Sequence, residues 1–173
     1  DNVSIIPPIN FKNWIEKNNH LLKPPVGNKV VYEQGDFMIM VVGGPNSRKD
    51  YHVDPVEEFF YQIKGDMVLK IIENDNQRDI KINEGEIFLL PKKIPHSPQR
   101  FKNTVGLVVE YKRPEGELDA FQWYCDNCHN LLYEVSLRLE NIVSQLPPLF
   151  KTYWENINYR TCKNCGEVQD QPK

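Results

Sequence analysis

Gly85-Glu-Ile-Phe-Leu-Leu-Pro91-Lys-Lys-Ile-Pro-His96 sets a glycine turn, an apolar strand, a proline stop and a histidine in fixed order. The strand within it, Glu86–Leu90, belongs to a series of short β-rich runs that includes Val30–Tyr32, Phe37–Val42, Phe59–Ile63, Met67–Ile72, Ile80–Ile82 and Val105–Tyr111. Gly43-Gly44-Pro45-Asn46, Lys64-Gly65-Asp66, Asn74-Asp75-Asn76 and Asn83-Glu84-Gly85 separate them, each offering residues that preset a bend or tolerate positive φ. Such even spacing predicts a β-sandwich or small barrel and disfavours a βαβ fold.

Outside this middle the texture changes. Asn10 before Phe11, Trp14 and Ile15 predicts a capped N-terminal helix that Lys23-Pro24-Pro25 brings to a stop. Beyond Arg113-Pro114-Glu115-Gly116, short strands are expected at Phe121–Tyr124 and Leu131–Val135. A helix is expected over Ser136–Gln145, with Pro147-Pro148 ending it and opening the next segment. The expected division is therefore a β domain over 1–114 and a C-terminal extension over 115–173.

Composition narrows the function classes. Lys and Arg number 21 against 24 Asp and Glu, a net charge of −3 that gives no basic surface for nucleic acid. The apolar runs are much shorter than the roughly 20 residues a membrane helix needs, so the reading is a cytoplasmic protein without membrane contact.

All four cysteines lie in the last third as Cys125-x2-Cys128 and Cys162-x2-Cys165. Paired CxxC half-sites aim four thiolates at one tetrahedral ion, either zinc or iron, and such a closed set leaves no position for substrate, so its role is structural. Gly166 can supply the left-handed turn after Cys165; His129, in the equivalent place after Cys128, suits that turn less well.

The chemical centre is elsewhere. His52, Glu58 and His96 lie in the β-rich region, and two imidazoles with one carboxylate form a facial triad that suits Fe(II) and leaves positions open. Arg48 precedes His52 by four residues and Arg100 follows His96 by four; in extended chain both offsets return the guanidinium to the histidine's face, where a carboxylate on a small aromatic ligand would meet a bidentate fork. Glu110 shares a face with Val108, and if that face is interior the carboxylate needs a cation, an Arg or a substrate donor.

Glu58 followed after six residues by Gly65, together with Gly85-x5-Pro91-x4-His96, resembles the paired motifs of the cupin superfamily, whose small jelly-roll barrels hold a metal at the mouth. The resemblance favours Glu58 over the adjacent Glu57. Two departures stand: Asp54 occupies the position of the second histidine in the usual His-x-His, where it either replaces a ligand or forms a turn before Pro55, and Lys93 occupies the position of an expected glycine.

Gly43-Gly-Pro-Asn-Ser-Arg-Lys-Asp-Tyr-His52, Glu57-Glu-Phe-Phe-Tyr-Gln62, Leu90 through Arg100, Val108-Val-Glu110 and Trp123-Tyr-Cys125 together resemble the 3-hydroxyanthranilate 3,4-dioxygenase family over essentially the whole chain. That resemblance implies a ring-opening dioxygenase of the kynurenine route to NAD, acting on a small aromatic amino acid and O2. It implies His52, Glu58 and His96 as ligands of Fe(II), Arg48 and Arg100 as holders of the substrate carboxylate, and Arg48 also near dioxygen. Glu110 would contact the amine or help move its proton, and the cysteines would form the rubredoxin-like site of the bacterial and fungal form, in a homodimer. Two other readings use the same residues: another cupin metal enzyme, such as a different dioxygenase or an isomerase, and a non-catalytic metal-stabilised binding protein. Gly43-Gly44 reads equally as a hinge for a covering loop or as a plain turn.

Overall fold

The computed structural model describes residues 4–173. Its first element is the expected helix, α1 (Phe11–Asn18), where the Asn10 side chain accepts the Asn13 N–H at 2.9 Å. Eleven strands follow in the order β1 (Asn28–Tyr32), β2 (Phe37–Gly43), β3 (Asp50–Val53), β4 (Glu58–Lys64), β5 (Met67–Glu73), β6 (Asn76–Ile82), β7 (Ile87–Leu90), β8 (His96–Arg100), β9 (Val105–Tyr111), β10 (Asp119–Tyr124) and β11 (Leu131–Leu137). They form two antiparallel sheets, β1-β2-β9-β4-β7 and β11-β10-β3-β8-β5-β6. The architecture is the mainly β, jelly-roll type expected, with the sheets facing each other rather than closed into a continuous barrel.

Period-two alternation sorts the side chains. β4 and β5 each alternate buried and partly buried residues, and their inner positions Phe60, Met67, Leu69 and Ile71 meet Ile82, Leu90 and Val108 in one apolar cluster. A second cluster on the other side of the five-stranded sheet joins Val41 and Val105 to Leu22, Phe11, Trp14 and Ile15, which is how α1 covers part of that face.

β3 and β8 were not among the predicted strands, and both carry candidate ligands. Asp50-Tyr-His-Val53 is short, and His96-Ser-Pro-Gln-Arg100 contains a proline; only pairing across the fold, with His52 opposite His96, makes them strands. β10 and β11 come from the stretch 115–173 yet extend the six-stranded sheet, because Phe121 pairs with His52.

The helix expected over Ser136–Gln145 is displaced. Ser136 and Leu137 finish β11, and the helix is α2 (Ile142–Glu155), capped by Asn141, whose side chain accepts the Ser144 N–H at 3.1 Å. Pro147 and Pro148 lie inside it rather than at its end. The carbonyls they leave without helical donors belong to Val143 and Ser144, which are exposed and can turn to water. A short α3 (Ile157–Arg160) follows.

Gly43 and Gly44 are packing glycines. A Cβ at Gly43 would stand 1.8 Å from the Leu22 carbonyl oxygen, and one at Gly44 would stand 2.2 Å from that of Phe101. Both are buried, and the Gly43 N–H donates to the Gly27 carbonyl at 2.8 Å, so Gly43 fastens the N-terminal segment onto the sheet while Gly44 lets the chain pass close over Phe101.

Candidate active site and four-thiolate cluster

β3, β4 and β8 deliver His52, Glu58 and His96 to one point between the sheets, and one ligand atom from each lies within 4.8 Å of the others. His96 Nε2 is 3.2 Å from Glu58 Oε2, and His52 Nδ1 is 3.7 Å from Glu58 Oε1. Each ring is held from behind: His96 Nδ1 lies 2.9 Å from the Ile94 carbonyl, and His52 Nε2 lies 2.6 Å from Asp119 Oδ2. Phe121 adds a stacked face against His52 at 4.8 Å. Distal nitrogens fixed in this way are the usual support of a metal-binding imidazole, and a buried two-imidazole, one-carboxylate donor set fits ferrous iron. Burial opposes the charge on Glu58, but facing His96 outweighs that and holds its carboxyl well below the usual range. Lys93 adopts φ of 67°, which is why a glycine suits the turn before His96.

The trio opens onto a cavity of about 310 Å³ lined by Arg48, Arg100, Glu110, Phe60, Val108 and others. Both predicted arginines reach it, but in different states. Their backbones are tied together, since Asn46 and Arg100 exchange N–H to carbonyl bonds at 2.9 Å and the Gln99 amide brackets the Arg48 peptide. Arg48 is already engaged: Nε and Nη2 donate to Asp50 at 3.2 and 2.5 Å, leaving Nη1 without a partner among the described residues. Arg100 is only 5% exposed, and no carboxylate of the described residues pairs with it; its one side-chain bond is from Nη1 to Gln62 Oε1 at 3.4 Å. Burial, and then the charge of Arg48, pull Arg100 down to about 10.

Glu110 is interior, and it finds the cation that burial demands in Arg113, whose Nη1 donates to Oε1 at 2.5 Å. Glu110 Oε2 is buried and meets no nitrogen donor among the described residues. Burial pushes the Glu110 carboxyl up to about 7. Asp54 makes the turn before Pro55, accepting the Val56 N–H at 3.0 Å, and it also stands with Glu58 and Glu110 as a buried carboxyl trio. Burial, then hydrogen bonding to Glu58, push it up to about 12.

Sequence reading missed Arg113 and Asp119. Arg113 donates through Nε and Nη2 to both Asp119 oxygens at 2.9 and 2.7 Å, and through Nη2 to Asp54 at 3.4 Å. One guanidinium therefore joins Glu110, Asp54 and the carboxylate behind His52. The available signal was a lone Arg three residues after an inward Glu; the return of β10 that brings Asp119 to it leaves no local mark.

The four Sγ atoms also converge, with Cys125 to Cys165 at 3.6 Å and Cys128 to Cys162 at 3.5 Å. Those spacings are far from the roughly 2.05 Å of a disulfide and close to the ~3.8 Å edge of a tetrahedron with metal–sulfur bonds of about 2.3 Å. The two knuckles repeat each other: His129 N–H donates to the Cys125 carbonyl at 3.0 Å and Gly166 N–H to that of Cys162 at 2.9 Å. His129 takes φ of 65° and Gly166 of 80°, so the histidine adopts the turn it was expected to fit poorly. Backbone N–H groups, that of Cys165 foremost, bring the Cys162 thiol down to about 6. This donor set fits a structural zinc or iron.

A family model described as 3-hydroxyanthranilic acid dioxygenase matches residues 3–154. A 3-hydroxyanthranilate 3,4-dioxygenase of Jannaschia sp. is 58% identical over 160 residues, covering 92% of this chain and 89% of its own. One from Xanthomonas campestris pv. campestris is 50% identical over 169 residues, covering 98% and 96%. Among solved structures, a cupin-2 domain containing protein of Shewanella frigidimarina matches with a TM-score of 0.45 and 22% identity, over 61% of this chain and 94% of that one.

Proposed function

Since the chain belongs to the 3-hydroxyanthranilic acid dioxygenase family, we propose that it opens the ring of 3-hydroxyanthranilate with O2. The product is 2-amino-3-carboxymuconate semialdehyde, which closes to quinolinate on the route from tryptophan to NAD. One observation carries the match of site to substrate: Arg100, a buried guanidinium paired with no carboxylate among the described residues, lines the same cavity as the His52, Glu58 and His96 trio. The substrate offers a carboxylate for the cation and a hydroxyl and amine for a metal.

His52, Glu58 and His96 hold Fe(II) in this proposal. Bound there, the ion supplies Lewis acidity toward the substrate hydroxyl and a redox centre for dioxygen. Arg100 fixes the ring by its carboxylate, with Nε and Nη2 as the fork. Glu110 Oε2, which meets no nitrogen donor among the described residues, accepts a proton from the amine or hydroxyl, while Arg113 on Oε1 keeps that carboxyl aimed. Arg48 reaches the dioxygen side through Nη1, anchored by Asp50. Phe60 and Val108 flank the ring and exclude water. The thiolate cluster pins the C-terminal extension over 115–173 with iron or zinc, and four unbridged thiols favour a reducing, cytoplasmic compartment.

Aerobic turnover by the iron-reconstituted protein tests this. Oxygen uptake with 3-hydroxyanthranilate and the rise of semialdehyde absorbance are expected. Oxygen uptake only with another substrate would favour a different cupin oxygenase, and no uptake at all would favour a binding protein.

The homodimer belongs to the same proposal. Tyr32, Ile39, Val109, Phe59 and Leu89 form a register row across the outer face of the five-stranded sheet, with no charge in it. Leu89 is 56% exposed and neighbouring Ile87 67%. A two-fold contact sets a patch against its own copy, so an uncharged centre is what self-pairing requires. Sedimentation should give a dimer, and Leu89→Glu should shift it to monomer; a monomeric parent chain would end this reading.

A further inference from the structure

Arg100 is buried against an amide rather than a carboxylate, and two independent features build that contact. Gln62 lies four residues beyond Glu58 on β4, so the period of two returns it to the inner face, where it is 1% exposed. Its Oε1 accepts from Arg100 Nη1 at 3.4 Å. Gly106 pairs with Gln62 across β4 and β9 and forms the floor of the slot. A Cβ there would lie 2.5 Å from Arg100 Nη1 and 2.6 Å from Gln62 Oε1. The guanidinium and the amide oxygen thus sit over bare backbone that only glycine leaves open.

We propose that Gln62 is a positioning residue that sets substrate specificity: it holds one corner of Arg100 with a neutral acceptor, leaving both the Nε–Nη2 edge and the full positive charge for a ligand carboxylate. A buried arginine is usually matched by a carboxylate. Here a carboxylate at position 62 would neutralise, from the Nη1 corner, the charge that a ligand carboxylate needs. The uncharged amide orients without neutralising, and Nε and Nη2 make no bond to any described residue. Specificity for an acidic aromatic ligand over its decarboxylated analogue then depends on Gln62 through Arg100. This rests on the proposed role of Arg100.

The test is anaerobic binding to the iron-loaded protein, using 3-hydroxyanthranilate and 2-aminophenol, which lacks the carboxylate. Gln62→Glu should weaken the acid by about tenfold or more while changing 2-aminophenol by less than about threefold. Gln62→Met, of similar length but without the acceptor, should raise KM for the acid several-fold with kcat little changed, and it serves if the glutamate variant fails to fold. Arg100→Leu is run beside them. If Arg100→Leu loses the acid selectively but neither Gln62 variant does, the positioning role is wrong and the Arg100 assignment stands. If Arg100→Leu weakens both ligands equally, the Arg100 assignment itself fails. Equal losses of both ligands in the Gln62 variants would also overturn the inference, since they would reflect general damage to the cavity.

Discussion

Glu58→Ala should empty the His52 and His96 site of iron and leave the four-thiolate cluster filled, so metal analysis shows one site lost and the other retained. The carboxylate is the one anionic donor of the trio, and its removal leaves two imidazoles with ring centroids 5.1 Å apart and no acidic ligand beside them. Turnover should fall by more than the roughly 10- to 100-fold that follows loss of an outer support for a ligand. Asp119→Asn supplies that comparison, since Asp119 touches His52 only from behind, at Nε2. If Glu58→Ala keeps its iron and its oxygen uptake, the ligand assignment is wrong, and His52 with Asp54 and Asp119 would have to be reconsidered as the binding group.

Arg113→Leu should produce the largest loss of stability of any single change near the site. Its guanidinium meets Asp119 through two nitrogens, Glu110 through a third contact and Asp54 through a fourth, and all three carboxyls are at most 5% exposed. Removing the cation from a buried network of this kind costs about 3–5 kcal/mol, which for a chain of this size is a Tm lower by roughly 6–20 °C. Arg113→Lys should recover only part of it, because an ammonium cannot present two parallel donors to Asp119. A melting temperature unchanged in Arg113→Leu would show that the carboxyls do not depend on this cation. Activity of either variant measured well below its melting point would then report how far Glu110 and His52 depend on being aimed.

Much of this molecule is written locally. Turn residues between β-rich runs predict most of the sheet strands, Asn10 predicts the cap of α1, and CxxC spacing predicts each half of the thiolate cluster, because each depends on neighbours within a few residues. Glu58 and His96 are legible for the same reason, at short, fixed steps from Gly65, Gly85 and Pro91, and His52 from its place at the head of the stretch that stands where the usual His-x-His would be. Arg48 and Arg100 can be named from their offsets, yet those offsets say nothing about Asp50 neutralising one and Gln62 merely orienting the other.

The remainder comes from chain segments far apart in sequence. β3 and β8 lack a strand's composition and become strands only by pairing with each other and with β10 and β5. Pro147 and Pro148 look like a stop, but the residues whose carbonyls they orphan are exposed, so α2 continues through them. Arg113 and Asp119 carry no motif. Burial makes a lone charge costly enough that a partner must arrive from wherever the fold can bring one, and which partner that is depends on sheet register, not on the residues beside it.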